Sequence, residues 1–127
     1  MMHNAMQARE ILEQKGISLE VVSLKSLRPL DEQTIREVAA GKDVIFTLEN
    51  HTMKGGVGDQ IYRLLGQELM NKHYGAIAYP DVAVQHGSIG ELEKEHGLDG
   101  LSIAMAIKKA TAQVAKGITE HPSAFTA

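Results

Sequence analysis

The chain has 127 residues, a length that fits one domain with a useful hydrophobic core. Its 13 basic and 16 acidic residues give a formal charge of -3, which offers no strong attraction for nucleic acid or an anionic membrane surface. The absence of cysteine excludes disulfides, thiolate nucleophiles and cysteine-bound zinc. No apolar run reaches the roughly 20 residues of a membrane span, and the first ten residues do not resemble a signal peptide, so we expect a cytoplasmic protein.

The first part of the chain predicts a helix, a strand and a second helix. Apolar residues at helical spacing indicate a helix over residues 2–15, which ends at Gly16. Residues 17–24 are largely apolar, as in a parallel strand that is covered on both faces. After a proline-containing turn, Asp31 is placed to cap a second helix, which ends at Gly41.

The middle of the chain predicts two strands with a helix between them. An apolar strand over residues 44–48 is followed by the glycines of residues 55–58, which allow a sharp turn and a close approach of the backbone. A one-sided helix over residues 59–71 comes next. A short strand over residues 76–79 then stops at Pro80.

The last part of the chain predicts two helices and a tail. Ser88 and Glu91 have the spacing of a capping box, so a short helix should begin there and stop at Gly97. A final helix covers residues 101–116. The remaining residues, 118–127, are expected to form a loosely held tail.

This alternation of helices and strands predicts an α/β fold, a three-layer α/β/α sandwich with a mainly parallel sheet. We expect residues 1–117 to form one domain, with residues 118–127 as its tail. Three parallel strands make a small sheet, and the first helix has no preceding strand to cross over from. We therefore infer that a strand of this domain is missing before Met1.

Polar residues and glycines follow the strand over residues 44–48, at the edge of a parallel sheet where ligands and partners bind. They are Glu49, Asn50, His51, Gly55, Gly56 and Gly58. The amino end of the helix after the glycines is a generic anion site, but we favour a close strand-to-helix turn whose N–H groups are satisfied by Glu49 or by solvent. The glycines lack the remaining pattern of a dinucleotide fingerprint, and Lys54 precedes them, which excludes a P-loop.

Two histidines, His51 and His86, each follow a predicted strand and can converge at one sheet edge, where a histidine serves as acid, base or phosphate donor. We favour hydrogen bonds to loops or to a partner surface, because no nucleophile or carboxylate beside them completes a catalytic set. Ser88 lacks the pattern of a nucleophile elbow and is interpreted as a helix cap.

The other four histidines lack the spacing of metal ligands and are interpreted as surface or hydrogen-bonded residues. They are His3, His73, His96 and His121. We thus predict no catalytic, cofactor-binding or metal-binding residue in this chain.

Several stretches, taken in order, resemble one known family. They are residues 16–31, Thr47-Leu-Glu-Asn-His51 with Gly55-Gly-Val-Gly58, Pro80-Asp81 leading to His86-Gly-Ser88, and Gly97-Leu-Asp99. Over about residues 5–110 the chain resembles the carboxyl-terminal domain of transketolase-type thiamine diphosphate enzymes. The 1-deoxy-D-xylulose-5-phosphate synthases are the most similar subgroup, and the transketolases come next.

The resemblance implies a domain that follows two thiamine diphosphate-binding domains and contributes packing and subunit contacts more than chemistry. In that family the cofactor lies between the other two domains, which carry the catalytic glutamate and the motif that binds diphosphate and magnesium. No position here matches those residues, so no catalytic residue is carried over. The family domain also begins with a strand, in agreement with the one inferred to be missing. The chain is then either a fragment of a longer enzyme or an encoded remnant with a separate upstream partner.

We therefore expect a non-catalytic structural and dimer-forming domain of a thiamine diphosphate-dependent transferase. That enzyme joins pyruvate to glyceraldehyde 3-phosphate for isoprenoid precursors or transfers a ketol unit. The expected partner is a second copy of the chain or the upstream domains, because an incomplete sheet exposes apolar faces or an open edge. Two alternatives remain: a regulatory module that binds a small anion at the Gly55–Gly58 turn near His51 and His86, and an independent α/β binding protein.

Overall fold

The computed structural model describes residues 1–26, 28–52, 55–79 and 89–122, with only the backbone of residues 50–52 and 89. In chain order the elements are α1 (Met2–Glu13), α2 (Glu32–Ala39), β1 (Val44–Thr52), α3 (Val57–Leu65), a 3₁₀ turn (Gly66–Leu69), β2 (His73–Tyr79), α4 (Ile89–Glu95) and α5 (Gly100–Ala115). Each predicted helix is present, and β1 continues past its predicted end at residue 48. None of the described helices is long and apolar enough to cross a membrane.

The two strands form a parallel sheet whose register begins with Val44 opposite His73. Gly75 lets the neighbouring strand pack closely, because a Cβ at this position would lie 2.3 Å from the ring of Phe46. Side chains alternate between the two faces of the sheet, so that Ile45 and Phe46 pack into different hydrophobic clusters. A parallel pair of this kind confirms the predicted α/β fold.

Helices cover both faces of the sheet and form two separate hydrophobic clusters. The first cluster combines α2, α3 and the start of β2; its buried members are Ile35, Ala39, Ile61, Leu65, Leu69 and Tyr74. The second combines α1 and α5; its buried members are Ala8, Leu12, Ile103, Ala104 and Ile107. The layers of a sandwich are therefore present around a sheet of two strands.

Residues 17–24, which the sequence predicts to be a strand, form neither strand nor helix. Over residues 17–22 the exposure still alternates as it does along a strand, since Leu19 and Val21 are half-buried whereas Glu20 and Val22 are exposed. A strand requires a hydrogen-bonded neighbour, and among the described residues β1 pairs with β2 alone. The prediction of a third strand was wrong because this apolar segment has no strand beside it.

Aspartate side chains begin two of the helices. Asp31 accepts a hydrogen bond from a backbone N–H of α2 at 3.2 Å, as predicted. Asp99 accepts one from the N–H of Ser102 at the same distance. Before it, Gly97 has a φ of 77° and Leu98 is fully buried. The Gly97-Leu-Asp99 stretch therefore ends α4 and begins α5.

The start of the tail is anchored, although the sequence predicts that it is loosely held. The Nε2 of His121 donates to the carbonyls of Leu69 and Lys72 at 3.0 and 2.9 Å. The N–H of Tyr74 in β2 donates to the carbonyl of Glu120 at 3.0 Å. The His121 contacts join residues 52 and 49 positions apart, which local composition does not reveal.

Substitutions of Asp99 test whether the Gly97-Leu-Asp99 stretch is structural. Asp99→Ala removes the capping acceptor and should lower the free energy of unfolding by about 1 kcal/mol, the usual cost of losing an N-cap. Asp99→Asn keeps a side-chain oxygen and should retain most of that stability. Urea denaturation followed by circular dichroism measures both variants. An unchanged unfolding free energy in Asp99→Ala would contradict the capping role.

Candidate functional site

A single buried carboxylate joins the carboxyl end of β1 to the amino end of α3. Glu49 is 6% exposed, and its two oxygens accept hydrogen bonds from the N–H groups of Val57 at 2.7 Å and Gly58 at 2.9 Å. A negative charge is favourable at this position, because the amino end of a helix has unpaired N–H groups and a partial positive charge. Two of the donors of the predicted anion site are therefore satisfied within the chain.

The glycines of this turn are required by close contacts with β1. A Cβ on Gly56 would lie 2.2 Å from Oε1 of Glu49, and one on Gly58 would lie 2.6 Å from Oγ1 of Thr47. Gly55 is favoured for a different reason: its φ of 71° lies in the left-handed region, which glycine adopts more readily than other residues. The close backbone approach that the sequence predicts is thus an approach to the chain's own strand.

Tyr74 holds the same turn from the second strand, and the sequence reasoning missed it. Its side chain is 1% exposed, and its hydroxyl donates to the carbonyl of Gly58 at 2.6 Å. Burial is the main cause of a raised pKa for this hydroxyl, and the nearby carboxylate of Glu49 adds to it. A tyrosine next to an apolar strand could have indicated this contact, because a buried tyrosine hydroxyl needs a hydrogen-bond partner.

The predicted pair of histidines is only partly covered by the described residues. His51 lies in the backbone of β1, close after Glu49, but its side chain is not described. The same holds for Asn50, whereas His86 and Ser88 lie outside the described residues. The convergence of His51 and His86, and the capping role of Ser88, stay predictions.

His73 differs from its predicted surface or hydrogen-bonded state. It is 7% exposed, and its ring stacks on Phe46 with centroids 5.5 Å apart. Burial lowers the pKa of His73 below the usual histidine range, because a charged ring is poorly solvated there. Among the described residues, no group hydrogen-bonds to its buried Nδ1. We infer a packing role for this ring within the sheet.

The buried side chains of Glu49 and Tyr74 at this edge bind backbone groups of α3. Glu49 is engaged with two amides of α3, and the Tyr74 hydroxyl is engaged with Gly58. Within the described ranges, no three side chains of the histidine or carboxylate type are grouped as metal ligands would be. The arrangement fixes α3 against the sheet.

Gly58→Ala tests the close approach of α3 to β1. The added methyl group would meet the buried side chains of Thr47 and Glu49, so we expect the free energy of unfolding to fall by about 2 kcal/mol, a typical cost of overpacking. Gly90→Ala is the matched control, because nothing lies within 4 Å of a Cβ at that helical position. The control should be neutral or stabilising by up to about 1 kcal/mol. Equal stabilities for the two variants, measured by urea denaturation, would contradict the close contact.

Comparison with known proteins identifies the domain type. The family model for the transketolase C-terminal domain matches residues 1–103. The chain is 36% identical over 107 residues to a 1-deoxy-D-xylulose-5-phosphate synthase of Caldanaerobacter subterraneus subsp. tengcongensis, covering 84% of the chain and 17% of that protein. It is 38% identical over 103 residues to a putative transketolase C-terminal section of Methanocaldococcus jannaschii, covering 81% of the chain and 32% of that protein.

A solved structure agrees with these relatives. It is a split-gene transketolase, described as an inactive β4 tetramer, and it superimposes with a TM-score of 0.75 at 27% identity. The match covers 87% of this chain and 36% of that one. The chain thus spans between about a sixth and about a third of the length of these relatives. By sequence and by fold, it belongs to the transketolase C-terminal domain family.

Proposed function

We propose that the chain is a non-catalytic structural and subunit-contact domain of a thiamine diphosphate-dependent transferase. The observation that carries the proposal is the buried carboxylate of Glu49, which occupies the amides of Val57 and Gly58 at the sheet edge where a ligand would be expected. Two stretches that carry the family resemblance also have structural roles. The glycine turn packs on β1, and Gly97-Leu-Asp99 connects α4 to α5.

The described residues do not fit thiamine diphosphate and its magnesium ion. A diphosphate would need free N–H donors or cationic groups, but Glu49 accepts from two amides at the amino end of α3. Magnesium would need grouped oxygen ligands, and no such group occurs in the described ranges. We therefore assign the cofactor and the chemistry to other domains of the parent enzyme.

The relatives support two candidates for the parent reaction. Their names point to a 1-deoxy-D-xylulose-5-phosphate synthase, which joins pyruvate to glyceraldehyde 3-phosphate for isoprenoid precursors, or to a transketolase. The solved relative is described as a tetramer, which supports a role in assembly with a second copy or with upstream thiamine diphosphate-binding domains. We also propose a cytoplasmic location, as the sequence predicts.

The alternative predicted from the sequence is a regulatory module that binds a small anion at the Gly55–Gly58 turn. The occupied amides of Val57 and Gly58 favour the structural role over this alternative. Calorimetric titration of the chain with phosphate should give no binding heat at millimolar concentration. Saturable heat would support the regulatory module instead.

An activity assay tests the proposal directly. The purified chain, supplied with pyruvate, glyceraldehyde 3-phosphate, thiamine diphosphate and magnesium, should form no product above background. The full-length synthase of Caldanaerobacter is the positive control. Turnover by the 127-residue chain would contradict the non-catalytic role. Sedimentation equilibrium of the same sample should show self-association, and a strictly monomeric species at high concentration would count against the subunit-contact role.

A further inference from the structure

Residues 118–122 form a strap that follows α5 and crosses the edge of β2. Gly117 has a φ of 79°, and the N–H of Ile118 donates to the carbonyl of Gln113 at 2.9 Å, so the chain turns back at the end of the helix. The strap lies beyond residues 1–103, the part of the chain that the family model matches. Its contacts are therefore not explained by the family match.

Two backbone contacts fix the strap immediately before and immediately after His73. The Nε2 of His121 donates to the carbonyl of Lys72 at 2.9 Å, and the N–H of Tyr74 donates to the carbonyl of Glu120 at 3.0 Å. The N–H of His73 itself donates in the opposite direction, to the residue before β1, at 2.8 Å. The strap therefore crosses β2 at His73, on the edge that faces away from β1.

The end of the strap is held from the other helical layer of the sandwich. The Nδ1 of His121 accepts from the hydroxyl of Tyr62 at 2.8 Å, because in the neutral ring Nε2 carries the hydrogen. The two rings meet edge to face, with centroids 5.4 Å apart. Tyr62 belongs to α3, which packs on the face of the sheet opposite to α5. The strap thus links α5 to α3 around the edge of β2.

At the crossing point, His73 has no place for an added proton. Its side chain is 7% exposed, and among the described residues no group hydrogen-bonds to its buried Nδ1. A charged ring would carry an N–H donor at this atom without an acceptor. Burial is the main cause of the lowered pKa of His73; the carboxylate of Glu120 opposes it, and His121 adds to it. The closed strap is therefore compatible with the neutral ring.

The charged groups around His73 compensate a proton poorly. Within the described ranges, Glu120 supplies the one carboxylate that acts on the ring, and it is exposed, so water screens the attraction. Lys72, the preceding residue, is itself cationic, and its Nζ donates to the carbonyl of Lys42. From β1 the ring meets the apolar ring of Phe46, with centroids 5.5 Å apart. A proton on His73 is therefore stabilised best by water, which enters when the strap opens.

We propose that residues 118–122 are an acid-released strap: protonation of His73 opens it and uncovers the edge of β2 at Tyr74. In the open form the ring is solvated and titrates near the ordinary histidine pKa of about 6.5. Above this pH the neutral ring stabilises the closed strap, and that contribution is lost as the pH falls toward the lowered pKa of the closed form. The uncovered N–H of Tyr74 can then pair with another strand. The strap would respond in this way whether or not the domain serves a thiamine diphosphate enzyme.

Amide hydrogen exchange of the full chain, followed by NMR, tests the proposal. The readout is the protection factor of the Tyr74 N–H, which is the ratio of the intrinsic to the observed exchange rate and so removes the ordinary pH dependence of exchange. Between pH 7.5 and pH 5.5 this protection should fall several-fold, and by at most about tenfold for a single proton. The protection of the buried Ile107 in α5 should not change, because the strap opens locally.

Two substitutions of histidine locate the response. His73→Phe keeps an aromatic ring beside Phe46 but cannot take up a proton, so Tyr74 should keep its protection at both pH values. His3→Phe is the matched control at an exposed position of α1, and the pH response should remain. Unchanged protection of Tyr74 between the two pH values in the unsubstituted chain would overturn the proposal. An undiminished response in His73→Phe, or an equal loss of protection at Ile107, would also overturn it.

An NMR titration of the carbon-bound ring protons of His73 gives a second readout that needs no substitution. Its midpoint should lie below about 6.5, and the amide signals of residues 118–122 should shift with the same midpoint. A His73 midpoint at or above about 6.5 would overturn the proposal, as would strap signals that do not change with pH.

Discussion

The buried carboxylate of Glu49 is the interaction on which the arrangement of this domain depends. It lies at the carboxyl end of β1 and accepts from two amides at the amino end of α3. Because α3 must come this close, Gly56 and Gly58 cannot carry a side chain without a clash. The Tyr74 hydroxyl then binds the same turn from β2. Strand, turn, helix and second strand are thus held by one set of short polar contacts.

This arrangement bears on the proposed function. In α/β folds the carboxyl edge of the sheet is the usual ligand site, but here Glu49 occupies donors that a ligand anion would use. Among the described residues the sheet has two strands, and a cleft lies on the other side of β1. An occupied ligand edge is suited to a structural role. Membership in the transketolase C-terminal domain family agrees with such a role.

Local sequence patterns predicted the helices, the glycine turn and the family, because capping residues and apolar spacing act over a few neighbours. Glu49 was also recognised as a possible partner for the amides of α3. The role of Tyr74 was missed, since its partner Gly58 lies far away along the chain. His121 is hydrogen-bonded, which was one of its two predicted states, but its distant partners could not be read from the sequence. The prediction of a third strand at residues 17–24 was wrong for a related reason. Its apolar pattern is genuine, but strand pairing depends on a neighbouring strand, and none of the described residues forms one beside it. The relation of His51 to His86 is still a prediction.

The most direct test of this account is the unfolding free energy of Glu49→Ala, measured in phosphate and in chloride at equal ionic strength. Loss of the carboxylate leaves two amides without their acceptor, so the variant should be less stable than the unsubstituted chain by about 2–4 kcal/mol in chloride. Glu49→Gln keeps one acceptor oxygen and should lose less. Phosphate should stabilise the unsubstituted chain relative to chloride only through its general salting-out effect, without saturation at millimolar concentration. A Glu49→Ala variant of unchanged stability, together with saturable stabilisation of the unsubstituted chain by millimolar phosphate, would contradict the account.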